Sequence, residues 1–417
     1  MKTILHCDIN NFYASVEEKL NPFLENKPVI VCGNPENRSG IVLAKSKKAK
    51  ECGVKTAETI QTAMKKCPNA ILVSPSHSTY DFYSEKFFYI CFQFSPLVES
   101  FGIDECWIDI THLVNKKRTA YMIAKELSSE IKKELGLNVS IGISFNKVFA
   151  KLGSDYKKPN GITEITKDNF KSLIYPLPIE NLLNIGRSLK KALHKYNIFT
   201  IGDLANTSEK TIVELFGKNG LQVYLNAKGL GDDKVINTSN SETYIQKSLG
   251  NGTTLSADIF TYSEASKVIL NLSQYIAFRL KSKNYFAKGL RLTIKFSNLK
   301  IASKQMLVEY SFNSADIIHD LALEILSQLY DFETMTIGIK AITINVFNIQ
   351  KKLVNQTLLI DNSKSLNNLS NKVFKIKKKH GYGSIMRGSD IDNDVNLKSN
   401  QSNINDETSL QIFNDDI

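Results

Sequence analysis

The stretch from Leu97 to Ile110 constrains this chain more than any other. It reads as two short strands, Leu97 to Phe101 and Cys106 to Ile110, folded into a hairpin. Cys106, Ile108 and Ile110 alternate with Glu105, Trp107 and Asp109, the pattern of a strand with one buried face. Asp104 and Glu105 then fall at the hairpin tip. A further strand, Thr3 to Ile9, carries Asp8 at its end, just before a helix that runs from Phe12 to Leu20. Alone, an Asp between strand and helix is a cap, and a carboxylate pair in a turn is solvated surface. Together, three carboxylates at adjoining strand ends repel one another unless a cation sits among them. Mg²⁺ is the ion commonly held by a few carboxylates plus substrate phosphates. Two such ions lower the pKa of a nucleophile and stabilise both ends of an in-line phosphoryl displacement.

The rest of the first 165 residues continues the alternation. Pro28 to Cys32, Ile41 to Ala44 and Val139 to Ser144 read as strands, and Thr79 to Phe94 and Thr119 to Leu135 as helices, which predicts a mixed sheet with helices on it. From about Phe170 to Lys228 the pattern turns helical and short, punctuated by Gly186, Gly202, Gly217, Gly220 and Gly229. A polar stretch from Asp232 to Glu242 reads as a linker. Residues 243–350 return to α+β, with helices near 263–282 and 314–330 and strands near 288–297, 304–312 and 337–347. After Gln350 the chain is rich in Asn, Ser, Lys and Asp, loses periodicity and reads as a largely disordered tail.

At 417 residues with 42% hydrophobic content, several domains can each bury a core. Lys plus Arg outnumber Asp plus Glu by 53 to 42, a net charge of +11, so the long-range field favours a polyanion. No apolar run approaches a membrane span and the N-terminus has no signal-peptide pattern, from which a soluble cytoplasmic protein is expected. The six cysteines, all between Cys7 and Cys106, form no C-x-x-C pair and read as free thiols of a reducing compartment.

Four blocks make the sequence recognisable: Ile4 to Glu18, Gly40 to Val54, Phe101 to Ile110 and Ser140 to Ile162. In this order they resemble the Y-family translesion DNA polymerases, in the polymerase IV branch of low-GC bacteria. The resemblance spans roughly residues 1–350. It implies an α+β right hand: a palm at 1–25 and 75–167, fingers at 26–74 and a helical thumb at 168–231. A linker at 232–242, a little finger at 243–350 and a tail at 351–417 follow. It also implies template-directed addition of deoxynucleotides to a primer 3′-OH, low fidelity and bypass of damaged bases.

Carried over residue by residue, Asp8 and Asp104 match the aspartates that hold both Mg²⁺ ions, Glu105 their acidic neighbour, and the Ile9 carbonyl a further metal ligand. Phe12 and Tyr13 match the aromatic pair beside the nucleotide, with Tyr13 at the steric-gate position that excludes a 2′-OH. Phe12 also belongs to a core stripe with Val16 and Leu20. Lys158 matches the lysine on the incoming triphosphate. Where the family usually has Tyr and Arg on those phosphates, this chain has Lys47 and Lys50, which keep the charge but lose the bidentate fork. A solvated helix face is the alternative for these lysines. Gly102 stands where the family commonly has serine.

Three surfaces are expected to hold macromolecules. Ile185, Gly186 and Arg187 resemble the hairpin of a helix-hairpin-helix, whose backbone N–H groups take a DNA phosphate; a plain interhelical turn is the alternative. The region 279–304 carries eight cations and no acid. Within it Arg291, Thr293 and Lys295 share the strand face opposite Leu292, Ile294 and Phe296, suited to lie along phosphates. Leu410, Ile412 and Phe413, within an apolar cluster at 409–413, look like a peptide that docks on the bacterial sliding clamp. Primer–template DNA, dNTPs and the clamp are thus the expected partners of a monomeric enzyme. A nucleotidyl cyclase and a catalytically weak DNA-binding scaffold are the rival readings.

Overall fold

The computed structural model describes residues 2–33, 40–231, 233–237, 246–351 and 363–385. The chain divides into two compact units, residues 1–240 and 241–417. In the first, β1 (Ile4–Ile9) runs directly into α1 (Phe12–Leu20). A small sheet of β2 (Val29–Cys32), β3 (Val42–Lys45) and β4 (Ile71–Val73), in the order β3-β2-β4, carries α2 (Lys47–Glu51) and α3 (Ile60–Lys66) around its own core. The chain then passes through α4 (His77–Phe94), β5 (Val98–Ser100), β6 (Glu105–Asp109), α5 (Ala120–Leu135), β7 (Val139–Ser144), α6 (Lys147–Tyr156) and β8 (Ile162–Ile165). These complete a central sheet in the order β5-β6-β1-β7-β8.

Sequence dictates how that sheet is covered. Along α5, Ile123, Ala124, Leu127, Ile131 and Leu135 are buried, a helical stripe that meets Cys7, Cys106, Ile108 and Ile141 on one face of the sheet. The other face, bearing His6, Trp107 and Gly142 in register, lies under α6. The hairpin strand was expected to bury one face only. Both are buried, with Trp107 3% and Asp109 8% exposed, because β6 is an inner strand and α6 roofs it: the Trp107 indole donates to the Lys147 carbonyl at 2.9 Å. Two glycines permit this closeness. A Cβ on Gly142 would lie 1.8 Å from the Ala150 carbonyl oxygen and 2.4 Å from the Ser154 nitrogen, and one on Gly153 would lie 3.0 Å from the Gly142 Cα.

Four further helices follow, α7 (Phe170–Ile174), α8 (Arg187–His194), α9 (Ile201–Asn206) and α10 (Glu209–Ala227), the last broken at Gly217 with φ of 59°. Their core includes Ile174, Ile185, Leu193 and Ile201 and continues into Phe149 and Leu152 of α6. The stretch read as a linker is only partly one. Val235 is buried beside Ile4, Trp107 and Ala150, the Ile236 amide donates to Glu99 at 2.9 Å, and Asn237 donates to the Pro96 carbonyl at 2.9 Å.

The second unit is an antiparallel sheet with two helices on one face. It comprises β9 (Ser248–Ile259), α11 (Tyr262–Ser282), β10 (Tyr285–Phe296), β11 (Ile301–Phe312), α12 (Ala315–Leu329), β12 (Ile339–Phe347) and β13 (Gln350–Lys351), with sheet order β11-β10-β12-β9. Strand β9 was not foreseen, because Gly250 and Gly252 break its apolar pattern. Both face bulky cross-strand partners: an added Cβ would meet the Asn345 side chain at 1.8 Å and Thr343 Oγ1 at 2.3 Å. The expected disordered tail also needs correction, since it holds a further helix, α13 (Ser363–His380). The proposed clamp peptide, Leu410, Ile412 and Phe413, lies outside the described residues.

The α6 contact makes a stability prediction. Gly142→Ala is expected to cost about 3 kcal/mol by overpacking. It is read as a lower urea midpoint in the fluorescence of Trp107, the only tryptophan. Gly186→Ala, whose methyl would meet nothing within 4 Å among the described residues, lowers the midpoint by the smaller cost of an N-cap change, about 0.5–1 kcal/mol.

Candidate active site

The antiparallel register sets Asp8 of β1 directly opposite Glu105 of β6, and the Ile9 amide donates to the Asp104 carbonyl at 2.9 Å. Like charges placed across a ladder destabilise it unless they are compensated. Helix α6 and the loop after it supply the compensation. Lys151 Nζ lies 2.5 Å from Glu105 Oε2; Lys158 Nζ lies 2.7 Å from both Asp8 Oδ2 and Asp155 Oδ1. The Lys158 loop is tied to β1: Asn10 donates to Asn160 at 2.8 Å, Ser140 to Asn10 at 2.8 Å, and the Asn160 amide to Ser140 at 3.0 Å.

Beneath the carboxylates His6 is fully buried. Ser154 Oγ donates to the Lys151 carbonyl at 2.8 Å and sits 2.8 Å from His6 Nδ1, so the imidazole proton is on Nδ1. The bare Nε2 faces Glu105 Oε2 at 3.4 Å and has no hydrogen-bond partner among the described residues. Burial, then the charges of Lys151 and Lys158, hold the His6 pKa well below its usual value, which keeps the ring neutral.

Asp8, Ile9, Phe12, Tyr13, Asp104, Glu105, Lys151 and Lys158 line one open, polar cavity of 510 Å³, with Lys45, Thr56 and Asp155. Burial and the neighbouring Asp8 push Asp104 above the usual carboxylate range. Glu105 is pushed up to about 7, first by burial; Lys151 opposes the rise and Asp8 adds to it. Phe12 is core, 3% exposed, whereas Tyr13 is half-buried and stacked on Tyr80 with ring centroids 4.0 Å apart and 14° between planes. Tyr80 is itself anchored, its hydroxyl donating to Glu17 at 2.5 Å.

Not every residue singled out in the sequence reaches this cavity. Lys47 and Lys50 are exposed on α2 and do not line it. Lys45, at the end of β3, does; its Nζ donates to Thr56 at 2.8 Å. Burial, then the charge of Lys50, lowers its pKa. Ile185 is buried, Gly186 is the N-cap of α8 and Arg187 its first residue. In the second unit Arg291, Thr293 and Lys295 stand on the open sheet face and Leu292 and Ile294 in the core, with Arg291 bonded to Gln305 at 2.6 Å and Thr293 to Ser303 at 2.9 Å.

Asp8, Asp104 and Glu105 bring carboxylate oxygens to this cavity, the hard donor type that suits Mg²⁺. Among the described residues no three His, Cys, Asp or Glu side chains close on one point. Lys151 and Lys158 are the cations that hold Glu105 and Asp8 instead. Among the described residues no helix is long and apolar enough to cross a membrane.

A right hand of α+β construction with an acidic cluster at its palm defines the class, a nucleic-acid polymerase. Residues 7–155 match the impB/mucB/samB family and residues 246–358 match its C-terminal domain. DNA polymerase IV of Acetivibrio thermocellus is 38% identical over 93% of this chain and 97% of its own length. DNA polymerase IV 1 of Halalkalibacterium halodurans is 32% identical over 94% of each. A solved Y-family DNA polymerase chimera covers 84% of this chain and 100% of its own, with 25% identity and a TM-score of 0.72. DinB from Sulfolobus solfataricus has the same fold at 24% identity and a TM-score of 0.57. The chain belongs to the Y-family DNA polymerase IV family, and its activity is template-directed, low-fidelity DNA synthesis.

The raised Glu105 pKa gives a pH signature in the metal-free protein. The unfolded chain releases this proton near 4.5, the folded chain near 7. Between those values the folded state holds more protons, so stability falls as pH rises through the window. Urea midpoints at pH 4.5 and 7 are expected to show wild type losing stability relative to Glu105→Gln over that interval.

Proposed function

We propose that Asp8, Asp104 and Glu105, with the Ile9 carbonyl, hold two Mg²⁺ ions of a DNA-synthesising site and that the same cavity takes the incoming dNTP. The observation carrying this reading is the convergence of carboxylates from β1 and β6 on one open cavity whose other walls are an aromatic ring and lysines. When bound, the metal ions supply a lowered pKa at the primer hydroxyl and charge stabilisation at both ends of the displacement. The chain's own residues do the rest. Lys158 bridges two carboxylates, and a triphosphate competes with them for its ammonium group. Lys45 approaches from the opposite wall and, in place of Lys47 and Lys50, is the second phosphate ligand. Tyr13, braced by Tyr80, presents its ring where the sugar lies and excludes a 2′-OH.

In this reading residues 1–25 and 75–167 are the palm, 26–74 the fingers, 168–231 the thumb and 243–350 the little finger. The α8 N-terminus at Ile185 to Arg187 and the open face at Arg291, Thr293 and Lys295 hold the duplex backbone without reading sequence. The enzyme acts as a cytoplasmic monomer, and Leu410, Ile412 and Phe413 dock on the sliding clamp.

Primer extension on a DNA template with Mg²⁺ and dNTPs tests the site. Wild type extends and Asp104→Ala does not; equal extension by both would remove the metal assignment. Tyr13→Ala is expected to raise ribonucleotide incorporation, measured as the rNTP to dNTP ratio of kcat/KM, and an unchanged ratio would refute the gate. Loss of a charged hydrogen bond is worth about 1.5–3 kcal/mol. Lys45→Ala therefore raises KM for dNTP roughly tenfold or more, while the Lys47→Ala, Lys50→Ala double variant changes it little.

A further inference from the structure

Helix α13 lies beyond residues 246–358, the extent of the family C-terminal domain, and has its own attachment to the second unit. Phe374 packs on Phe278 of α11 with ring centroids 5.5 Å apart. Tyr382, just past the helix, packs edge-on against Phe278 at 5.3 Å and Tyr275 at 5.9 Å. Lys281 of α11 donates to Ser370 at 2.5 Å and to Asn371 at 3.2 Å, and the Lys377 ammonium group lies 4.0 Å from the Tyr382 ring centroid. Ser370, Phe374 and Lys377 therefore form the docking face. At 100° per residue, Lys372, Lys375 and Lys379 fall on the other side and Lys378 on the flank beside Asn371, and all four are exposed.

Residues 363–385 carry six lysines and no Asp or Glu. Three ammonium groups are thus held on one face of an anchored helix, with a fourth at its edge. A polyanion is the partner that such a face fits. A membrane-surface helix needs an apolar face free to enter the lipid, whereas among the described side chains of α13 Phe374 is spent on α11 and Ile376 is the one large apolar group left exposed among the lysines. The spacing i, i+3 and i+7 of Lys372, Lys375 and Lys379 spreads charge along about 10 Å of helix, enough to meet successive phosphates.

We propose that the lysine face of α13 is a further DNA-binding surface that takes the sugar–phosphate backbone, separate from the sheet face that carries Arg291 and Lys295. It is separate because α13 is docked on α11, whereas that sheet face looks away from α11. The proposal rests on the polymerase reading, since it makes the bound polyanion the enzyme's own DNA. Appending a pre-ordered cationic helix lengthens the electrostatic footprint without any base contact.

Fluorescence anisotropy of a labelled primer–template with a long duplex, titrated at several salt concentrations, tests it on the full chain. For the Lys372→Gln, Lys375→Gln, Lys378→Gln, Lys379→Gln variant, the slope of log K against log salt is expected to fall by about 2–3, at roughly 0.9 per phosphate contact. Affinity at low salt falls about tenfold or more. An unchanged slope, with circular dichroism showing an intact fold, overturns the proposal. So does a change that disappears once residues 390–417, which hold seven acids and one lysine, are deleted from both proteins, because the lysines then serve that acidic segment. Primer extension by wild type is run alongside. Its failure sinks the polymerase reading, whereas extension with an unchanged slope sinks only the α13 surface.

Discussion

Everything at the acidic cluster depends on how closely α6 lies on the central sheet. Gly142 and Gly153 bring the helix backbone into contact with β7, and that contact sets the height at which Lys151, Ser154 and Asp155 meet the ends of β1 and β6. Opposed carboxylates in a half-buried site are unfavourable by burial and by mutual repulsion. Lys151 and Lys158 lower that energy, and they do so from a helix and a loop whose placement a single extra methyl group would disturb. The site is therefore a consequence of backbone packing as much as of its carboxylates.

The same balance gives the cavity its chemical character. Buried acids held by lysines are poised to exchange one set of counter-charges for another, since metal ions and a triphosphate offer alternatives to both members of each ion pair. Neutral His6 beneath Glu105 adds no charge of its own. The second unit solves a different problem: a broad antiparallel sheet keeps its core on one side with α11 and α12 and leaves a polar, cation-bearing face open. Its glycine pair at 250 and 252 makes room for Asn345 and Thr343 to lie across that face.

Much of this was legible in the sequence, where the determinants are local. The helix from Phe12 to Leu20 and the strand from Val139 to Ser144 carry their period in consecutive residues, and the structure has the same bounds. Asp8, Asp104 and Glu105 stand out because each lies at or beside a strand end. Lys151 does not, because its partner Glu105 is 46 positions away and only the folded α6 brings them together. Lys45 hides among Lys47, Lys48 and Lys50, and strand geometry alone separates the one that faces the cavity. Strand β9 was hidden by glycines whose reason lies on a neighbouring strand. The attachment of Val235 and the docking of α13 were hidden because each rests on one or two apolar side chains in polar surroundings.

The most direct test of the central claim is a Mn²⁺ titration followed by electron paramagnetic resonance, with primer–template and a non-reacting dNTP analogue present. Wild type and Asp8→Asn are compared. If the carboxylates at the ends of β1 and β6 are the metal site, wild type binds Mn²⁺ and Asp8→Asn loses the tight component while its circular dichroism is unchanged. Retention of wild-type Mn²⁺ affinity by Asp8→Asn would contradict the account and move the metal site elsewhere in the chain.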